Sequence, residues 1–270
     1  MSIERMILGI DEAGRGSVLG SMFIAGFAIE KPKLEILEKI GVRDSKSFNT
    51  DREREKRDKL AKKLEVIGKV IIHEVRAPEI DQAVLDKKDN LNLLEIRNFA
   101  SIIVETCVST GVEAIYLDAI SRPEYSKQKM SNLLGKLLGS AKFQVIYEKD
   151  EITAFFIDGA RVEIIAENKA DYTYPVVAAA SIMAKTAREN SLRQLEDQYG
   201  FKKGSLGSGY PNENDLKLMA FLDDHAMEIK SRKYPFVRYS WKWKNANWKR
   251  IVNDQNRSGD KQQALAEFFK

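Results

Sequence analysis

The sequence has a single cysteine, Cys107, and only two histidines, His73 and His225. One cysteine excludes an internal disulfide framework, as is typical of a protein from a reducing compartment. Two histidines far apart in the sequence argue against a histidine-rich zinc site. No apolar run is long enough to span a membrane, and the first residues lack the layout of a secretory signal. We therefore expect a cytoplasmic protein.

Charged residues, in contrast, are abundant. They make up 31% of the 270 residues, beside 43% hydrophobic residues, which is the composition of an ordinary soluble protein with a highly charged surface. The net charge of +4 permits a nucleic-acid partner without demonstrating one. The length fits one large domain, or one domain with a smaller appendage.

The most informative stretch is an apolar run at residues 6–10 that is followed by Asp11, Glu12 and then Gly14-Arg15-Gly16. The run predicts a buried strand. Acids at the end of such a strand are costly to bury unless a metal ion or a basic partner meets them. The glycines let the backbone approach a ligand, and Arg15 adds a cation suited to phosphate. The residues alone also fit a solvated acidic turn in which the glycines serve only the bend.

Apolar and β-branched runs predict strands at residues 6–10, 21–29, 69–75, 114–117, 143–147, 154–157 and 161–166. Helical patterns occupy residues 34–40, 51–67, 78–85, 91–110, 124–138 and 175–198. Strands that alternate with helices predict an α/β domain with a mixed sheet. The chain beyond residue 200 has no convincing strand and predicts a helical appendage.

Two further acids stand at positions that suit a site. Asp118 ends an apolar strand as Asp11 does, and Asp171 precedes the helix at residues 175–198, whose N-terminal dipole favours an ionised carboxylate. Taken singly, each is more often a cap or a turn residue. Adjacent strand residues also point to opposite faces, so Asp11 and Glu12 share a site only if the strand breaks or Glu12 reaches around.

Several strings in order resemble the ribonuclease HII family. They are the opening string at residues 7–16, Asp44-Ser45-Lys46, Tyr116-Leu117-Asp118-Ala119, Asn168-Lys169-Ala170-Asp171, residues 176–189 and Ser208-Gly209-Tyr210-Pro211. The family usually has proline after the second glycine, where this chain has Ser17. Arg238, Ser240 and Trp241 resemble the archaeal-type branch of the family.

The resemblance implies an α/β ribonuclease H-like fold: a five-stranded mixed sheet flanked by helices, with a small C-terminal helical region. It divides the chain into a catalytic domain at residues 1–200, a helical substrate-binding region at residues 201–252 and a tail at residues 253–270. Residues 143–157 exceed the family's usual length, and we expect them to form a protruding hairpin.

The implied activity is endonucleolytic hydrolysis of the RNA strand of RNA–DNA hybrids, and incision at single ribonucleotides in duplex DNA. The resemblance makes Asp11, Glu12, Asp118 and Asp171 the ligands of two Mg²⁺ or Mn²⁺ ions, hard cations that prefer carboxylate oxygen. Hydrolysis with two ions needs no general-base histidine, and the family's products carry a 3′-hydroxyl and a 5′-phosphate.

Substrate contacts follow from the same resemblance. Gly14, Arg15 and Gly16 are expected to recognise the ribose 2′-hydroxyl, which distinguishes RNA from DNA. Tyr210 is expected to stack on the neighbouring deoxyribose, although a loop aromatic that packs on its own proline is the alternative. Lys46 and Lys185 are expected near substrate phosphate, with a solvated surface lysine as the alternative for each.

The C-terminal residues suggest a protein partner. Gln262, Leu265, Phe268 and Phe269 resemble the motif that docks proteins on the sliding clamp PCNA. The alternative is a terminal helix folded back on its own domain. We expect a monomer that binds nucleic acid and no membrane.

Two other functions remain open at this stage. A type HIII ribonuclease H is one, although that family normally carries an additional N-terminal domain. A catalytically inactive binder of hybrids or clamps is the other.

Overall fold

The computed structural model describes residues 5–42, 51–138, 143–148, 151–157 and 159–252. Its strands form one seven-stranded mixed sheet in the order β3-β2-β1-β4-β7-β6-β5. The strands are β1 (Met6–Ala13), β2 (Met22–Glu30), β3 (Lys69–Val75), β4 (Val112–Asp118), β5 (Phe143–Glu148), β6 (Glu151–Ile157) and β7 (Ala160–Glu167). The central strands β1, β4 and β7 are parallel to one another, and the strands on either side of them are antiparallel.

The expected number of five strands is wrong. Residues 143–157 form a hairpin, as predicted, but the hairpin does not protrude. Strand β6 pairs with β7 from Ala154↔Glu163 to Ile157↔Ala160, and β5 pairs with β6. Because β7 leaves one edge unpaired, the hairpin adds two strands to the sheet by ordinary antiparallel hydrogen bonding.

Ten helices lie in the described ranges. They are α1 (Leu34–Lys39), α2 (Asp51–Ile67), α3 (Ala77–Leu85), α4 (Leu91–Ser109), α5 (Pro123–Leu138), α6 (Ala170–Thr173), α7 (Pro175–Tyr199), α8 (Leu216–Asp224), α9 (Ala226–Lys230) and α10 (Ala246–Val252). None of these described helices has the length and apolar character needed to cross a membrane.

The sheet is buried on both faces, because successive residues of a strand point to opposite sides. Leu8 of β1 joins one apolar core with Phe99 of α4 and Met130 of α5. Ile7 joins the other core with Val177 of α7 and Leu64 of α2. The chain is therefore a three-layer arrangement with the sheet in the middle.

Helix α7 lies unusually close to β1, and Gly9 makes this approach possible. A Cβ atom at residue 9 would lie 2.4 Å from the carbonyl carbon and oxygen of Val176. Small buried residues at 178–181 serve the same close packing from the helix side. This contact fixes the start of α7 beside the end of β1, where the first two acids stand.

The C-terminal region has a third apolar core, which Val18, Leu192 and Phe221 share with Tyr234 and Trp248. Most aromatic rings at residues 229–250 therefore pack in this core and have a structural role. Buried Asp81 of α3 accepts hydrogen bonds from the backbone N–H groups of Tyr239 and Ser240, at 2.9 and 3.0 Å. The region is anchored to the sheet domain by these contacts, and the boundary at residue 200 stays a prediction.

Candidate metal centre and nucleic-acid cleft

Three carboxylates meet at the carboxyl ends of the parallel strands β1 and β4. Each of Asp11, Glu12 and Asp118 offers an oxygen that lies within 4.8 Å of the other two. Strand β1 does not break, because Asp11 and Glu12 still pair with Ala25 and Ile24 of β2. Its pairing with β4 ends at Ile10, so the edge beside Asp118 is open and the longer Glu12 side chain reaches the group.

The three acids are buried enough to disfavour their charged forms. Burial and then the charge of Glu12 raise the pKa of Asp11 well above its usual value. Burial and the charge of Glu95 raise the pKa of Glu12 to about 7. Burial also raises the pKa of Asp118. The group therefore gains from a cation, and its all-oxygen donor set suits a hard divalent ion such as Mg²⁺ or Mn²⁺.

Asp171 lies beside this group, on α6 directly after β7. It is 9% exposed, and its charge adds to the effect of burial in raising the pKa of Asp118. The preceding residue acts in the opposite sense, since the Ala170 N–H donates to Asp118 Oδ1 at 3.1 Å and lowers the pKa of Asp118. Asp171 is not one of the three acids whose oxygens lie within 4.8 Å of one another, and its role as a fourth ligand stays a prediction.

A further carboxylate, Glu95 of α4, lies at the same end of the sheet and was not expected from the sequence. It is fully buried, and burial raises its pKa to about 7 against the opposing charge of Arg15. An acid on the apolar face of α4, one position before buried Ile96, was the signal in the sequence. Buried acids are rare unless paired, so such a position indicates a site.

The Gly14-Arg15-Gly16 loop begins directly after β1, beside the acids. Gly14 has a φ of +86°, a left-handed conformation that favours glycine. Arg238 is fully buried and donates to the Gly14 and Arg15 carbonyl oxygens at 2.6 and 2.8 Å. Ser17, where the family has proline, donates its hydroxyl to Gly14 O at 2.9 Å. The loop is thus held by hydrogen bonds instead of by a proline ring.

Tyr210 lies over the same loop from the C-terminal region. The Gly14 N–H donates to the Tyr210 hydroxyl at 2.9 Å, and a Cβ atom on Gly16 would lie 3.8 Å from the ring. The guanidinium carbon of Arg188 lies 4.6 Å from the ring centre. Tyr210 is 38% exposed, so its ring contacts the loop and remains accessible.

A cleft of about 950 Å³ opens between α7 and the C-terminal region. Ala13, Asp171, Lys185 and Tyr210 all line it. Further basic residues along its wall are Arg193, Lys203 and Lys217. Lys185 also lies near enough to Asp11 to counter the rise in its pKa. The cleft therefore runs from Ala13 and Asp171 along a partly basic wall, as a path for a phosphate backbone would.

Five of the predicted residues lie outside the described ranges. They are Lys46 and the four tail residues Gln262, Leu265, Phe268 and Phe269. Their roles stay predictions.

Comparison with known proteins gives a consistent result. A sequence model described as Ribonuclease HII matches residues 8–244. Ribonuclease HII from Methanocaldococcus jannaschii is 38% identical over 243 residues, which cover 88% of this chain and 92% of the relative. Ribonuclease HII from Thermococcus kodakarensis is 31% identical and aligns over 98% of both chains.

Solved structures agree with this result. The crystal structure of ribonuclease H2 from Pyrococcus horikoshii is 27% identical, covers 94% of this chain and all of its own, and superposes with a TM-score of 0.67. The structure of the PCNA:RNase HII complex from Archaeoglobus fulgidus gives 29% identity and a TM-score of 0.65, over 89% of this chain and 96% of that one. The expected ribonuclease H-like fold is confirmed.

Proposed function

The chain belongs to the ribonuclease HII family, whose members are metal-dependent endoribonucleases that act on RNA–DNA hybrids, and from this membership we propose that it also incises duplex DNA at single ribonucleotides by two-metal-ion hydrolysis. The observation that carries the proposal is the convergence of Asp11, Glu12 and Asp118, with oxygens within 4.8 Å of one another, beside a glycine loop. The carboxylates proposed to bind metal are therefore adjacent to the backbone proposed to bind the ribose.

We assign metal binding to Asp11, Glu12, Asp118 and Asp171. When bound, two Mg²⁺ or Mn²⁺ ions supply the positive charge that activates a water and stabilises the leaving oxygen of the phosphodiester. The residues hold that charge in place: β1 and β4 fix three carboxylates, and the Ala170 N–H orients Asp118. The products carry a 3′-hydroxyl and a 5′-phosphate.

Recognition of the ribose is assigned to the backbone of Gly14, Arg15 and Gly16. Only a loop without intruding Cβ atoms at the glycines brings peptide groups close enough to a 2′-hydroxyl. Tyr210, tied to Gly14 by its hydroxyl, stacks on the next sugar, where a second 2′-hydroxyl would collide with the ring. The glycine loop and Tyr210 together therefore recognise a junction between a ribonucleotide and a deoxyribonucleotide.

Phosphate contacts are assigned to Lys185, which lines the cleft, and to Lys46. Basic side chains along a cleft neutralise phosphates without reading sequence. The protein then requires a ribose at one position of the substrate and no particular base.

We also propose that the tail docks on a sliding clamp through Gln262, Leu265, Phe268 and Phe269. The relative from Archaeoglobus fulgidus, 29% identical, was solved in complex with PCNA. The residues of the tail fit a short helix whose apolar side enters a groove. The chain is expected to act as a monomer on the clamp.

The test is a cleavage assay on a DNA duplex that contains one ribonucleotide, with an RNA–DNA hybrid and an all-DNA duplex beside it. We expect Mg²⁺- or Mn²⁺-dependent incision of the first two and none of the third. An active enzyme that cleaves the hybrid and leaves the single ribonucleotide intact would refute the incision proposal. Binding of all substrates without cleavage would favour an inactive binder instead.

A further inference from the structure

The guanidinium group of Arg15 is directed into the protein. Its Nε lies 3.2 Å from Glu95 Oε2, its Nη1 donates to the Ile120 carbonyl oxygen at 3.3 Å, and its Nη2 donates to Asn92 Oδ1. Two of the three nitrogens thus donate to acceptors in the chain, and the third forms an ion pair with a buried carboxylate. A guanidinium held in this way acts as a tether for its own backbone.

Two of the three partners of Arg15 belong to one rigid platform, the start of α4. Asn92 and Glu95 are three residues apart, so they share one face of the helix. Asn90 caps this end by accepting from the Leu93 N–H at 3.0 Å, and the buried side chains of Ile96 and Phe99 pack α4 on the sheet. The platform therefore cannot move without disturbing the core.

Glu95 is the partner of Arg15 whose presence is hardest to explain by packing alone. It is 0% exposed, and a buried carboxylate is costly unless a cation meets it. Arg15 is that cation. Meanwhile Arg238 holds the Gly14 and Arg15 carbonyl oxygens from the opposite side. The recognition loop is clamped between α4 and the C-terminal region.

From this geometry we infer that Glu95 is a positioning residue for ribose recognition, which acts by holding Arg15 and so fixing the backbone of Gly14 and Gly16. The inference rests on the proposed reading of the 2′-hydroxyl by this loop. Glu95 itself touches no substrate. Its contribution should appear only when the substrate carries a ribose.

Three variants separate the ion pair from general effects. Glu95→Met keeps much of the side-chain volume and removes both the charge and the polar atoms, whereas Glu95→Gln keeps the shape and the polar atoms and removes only the charge. Glu105→Gln is the matched control, since Glu105 is an exposed residue of the same helix that pairs with His73. Each is assayed for kcat/KM on a duplex with one ribonucleotide and for inhibition by an all-DNA duplex, with the melting temperature beside both.

We expect Glu95→Met to lower kcat/KM by about three- to tenfold, the value of one lost hydrogen bond to the ribose. Inhibition by the all-DNA duplex should stay unchanged, because that binding uses phosphate contacts. Glu95→Gln, which also lacks the ion pair with Arg15, should lose a similar factor, and Glu105→Gln should cleave like the unaltered protein. If Glu95→Met does not fold, Asn92→Ala takes its place under the same criteria.

The inference is overturned if Glu95→Met cleaves as well as Glu105→Gln, or if Glu95→Gln keeps the activity that Glu95→Met loses. It is also overturned if the loss is matched by weaker inhibition from the all-DNA duplex or by a lower melting temperature, because either indicates a merely structural role. Absence of cleavage by the unaltered protein refutes the proposed function instead, so the two failures are distinguishable.

Discussion

Replacing Glu95 by glutamine should make the metal-free protein more stable, by an amount that grows as the pH rises from about 4.5 to about 7. The pKa of Glu95 is raised from 4.5 to about 7 in the folded chain. A group whose pKa is raised by folding binds its proton more tightly in the folded state, so its ionisation weakens the fold. That cost is absent below the unfolded pKa of 4.5 and complete above the folded value of about 7.

The size of the effect follows from the same two values. A rise from 4.5 to about 7, at about 1.36 kcal/mol for each unit of pKa, corresponds to about 3 kcal/mol of stability lost between mildly acidic and mildly basic pH. Glutamine carries no charge and avoids this loss. The variant should therefore match the unaltered protein near about pH 4 and exceed it by about 3 kcal/mol near about pH 8.

Urea unfolding in EDTA at both pH values measures this difference directly. Glu65→Gln is the control, because Glu65 is exposed on α2 and its replacement should leave the pH dependence unchanged. If Glu95→Gln gives the same stability difference at both pH values, burial does not hold the carboxylate in its neutral form. If it is less stable at basic pH, the ion pair with Arg15 outweighs the cost of burial, and the reasoning is wrong.

Three further predictions follow from the site and the fold. Asp11→Asn should lower kcat by more than about 100-fold, which is more than the loss of a residue that only supports a metal ligand usually costs. Binding of an RNA–DNA hybrid in a gel shift should remain detectable. Near-normal turnover would remove Asp11 from the site. Gly9→Ala should destabilise the protein by about 1–3 kcal/mol or more in urea unfolding, because the alanine Cβ atom would lie 2.4 Å from the Val176 backbone. Unchanged stability would mean that α7 shifts freely on β1. Removing the chain from Gln262 onward should spare cleavage of short duplexes and abolish binding to immobilised clamp, and unchanged clamp affinity would exclude the tail as the docking segment.

Much of the fold was predictable from the sequence because apolar runs mark strands wherever a sheet is covered on both faces. The run before Asp11 and the run before Asp118 were each recognised as strands. Their parallel pairing then brings the two acids to the same edge. The resemblance to a family supplied what no pattern contains, namely which of the 40 acidic residues belong together.

The features that were missed depend on tertiary contacts. Glu95 stands on an apolar helix face, where helix periodicity predicts a buried position. Periodicity does not predict what a buried acid at that position would contact. Arg15 was interpreted as a cation for phosphate, and its contacts to Asn92 and Glu95 became visible only when α4 was placed beside the loop. The hairpin of β5 and β6 was expected to protrude because residues 143–157 exceed the family's usual length. It pairs with β7 instead, and sequence patterns do not specify which strand edge is free.

The metal site itself is tested most directly by anomalous scattering from crystals of the protein soaked in Mn²⁺. The account predicts a peak within about 2.0–2.3 Å of oxygens from Asp11, Glu12 and Asp118, at the carboxyl ends of β1 and β4. A peak that also contacts Asp171 would establish the fourth ligand. Full occupancy of Mn²⁺ elsewhere, with none among these carboxylates, would contradict the account.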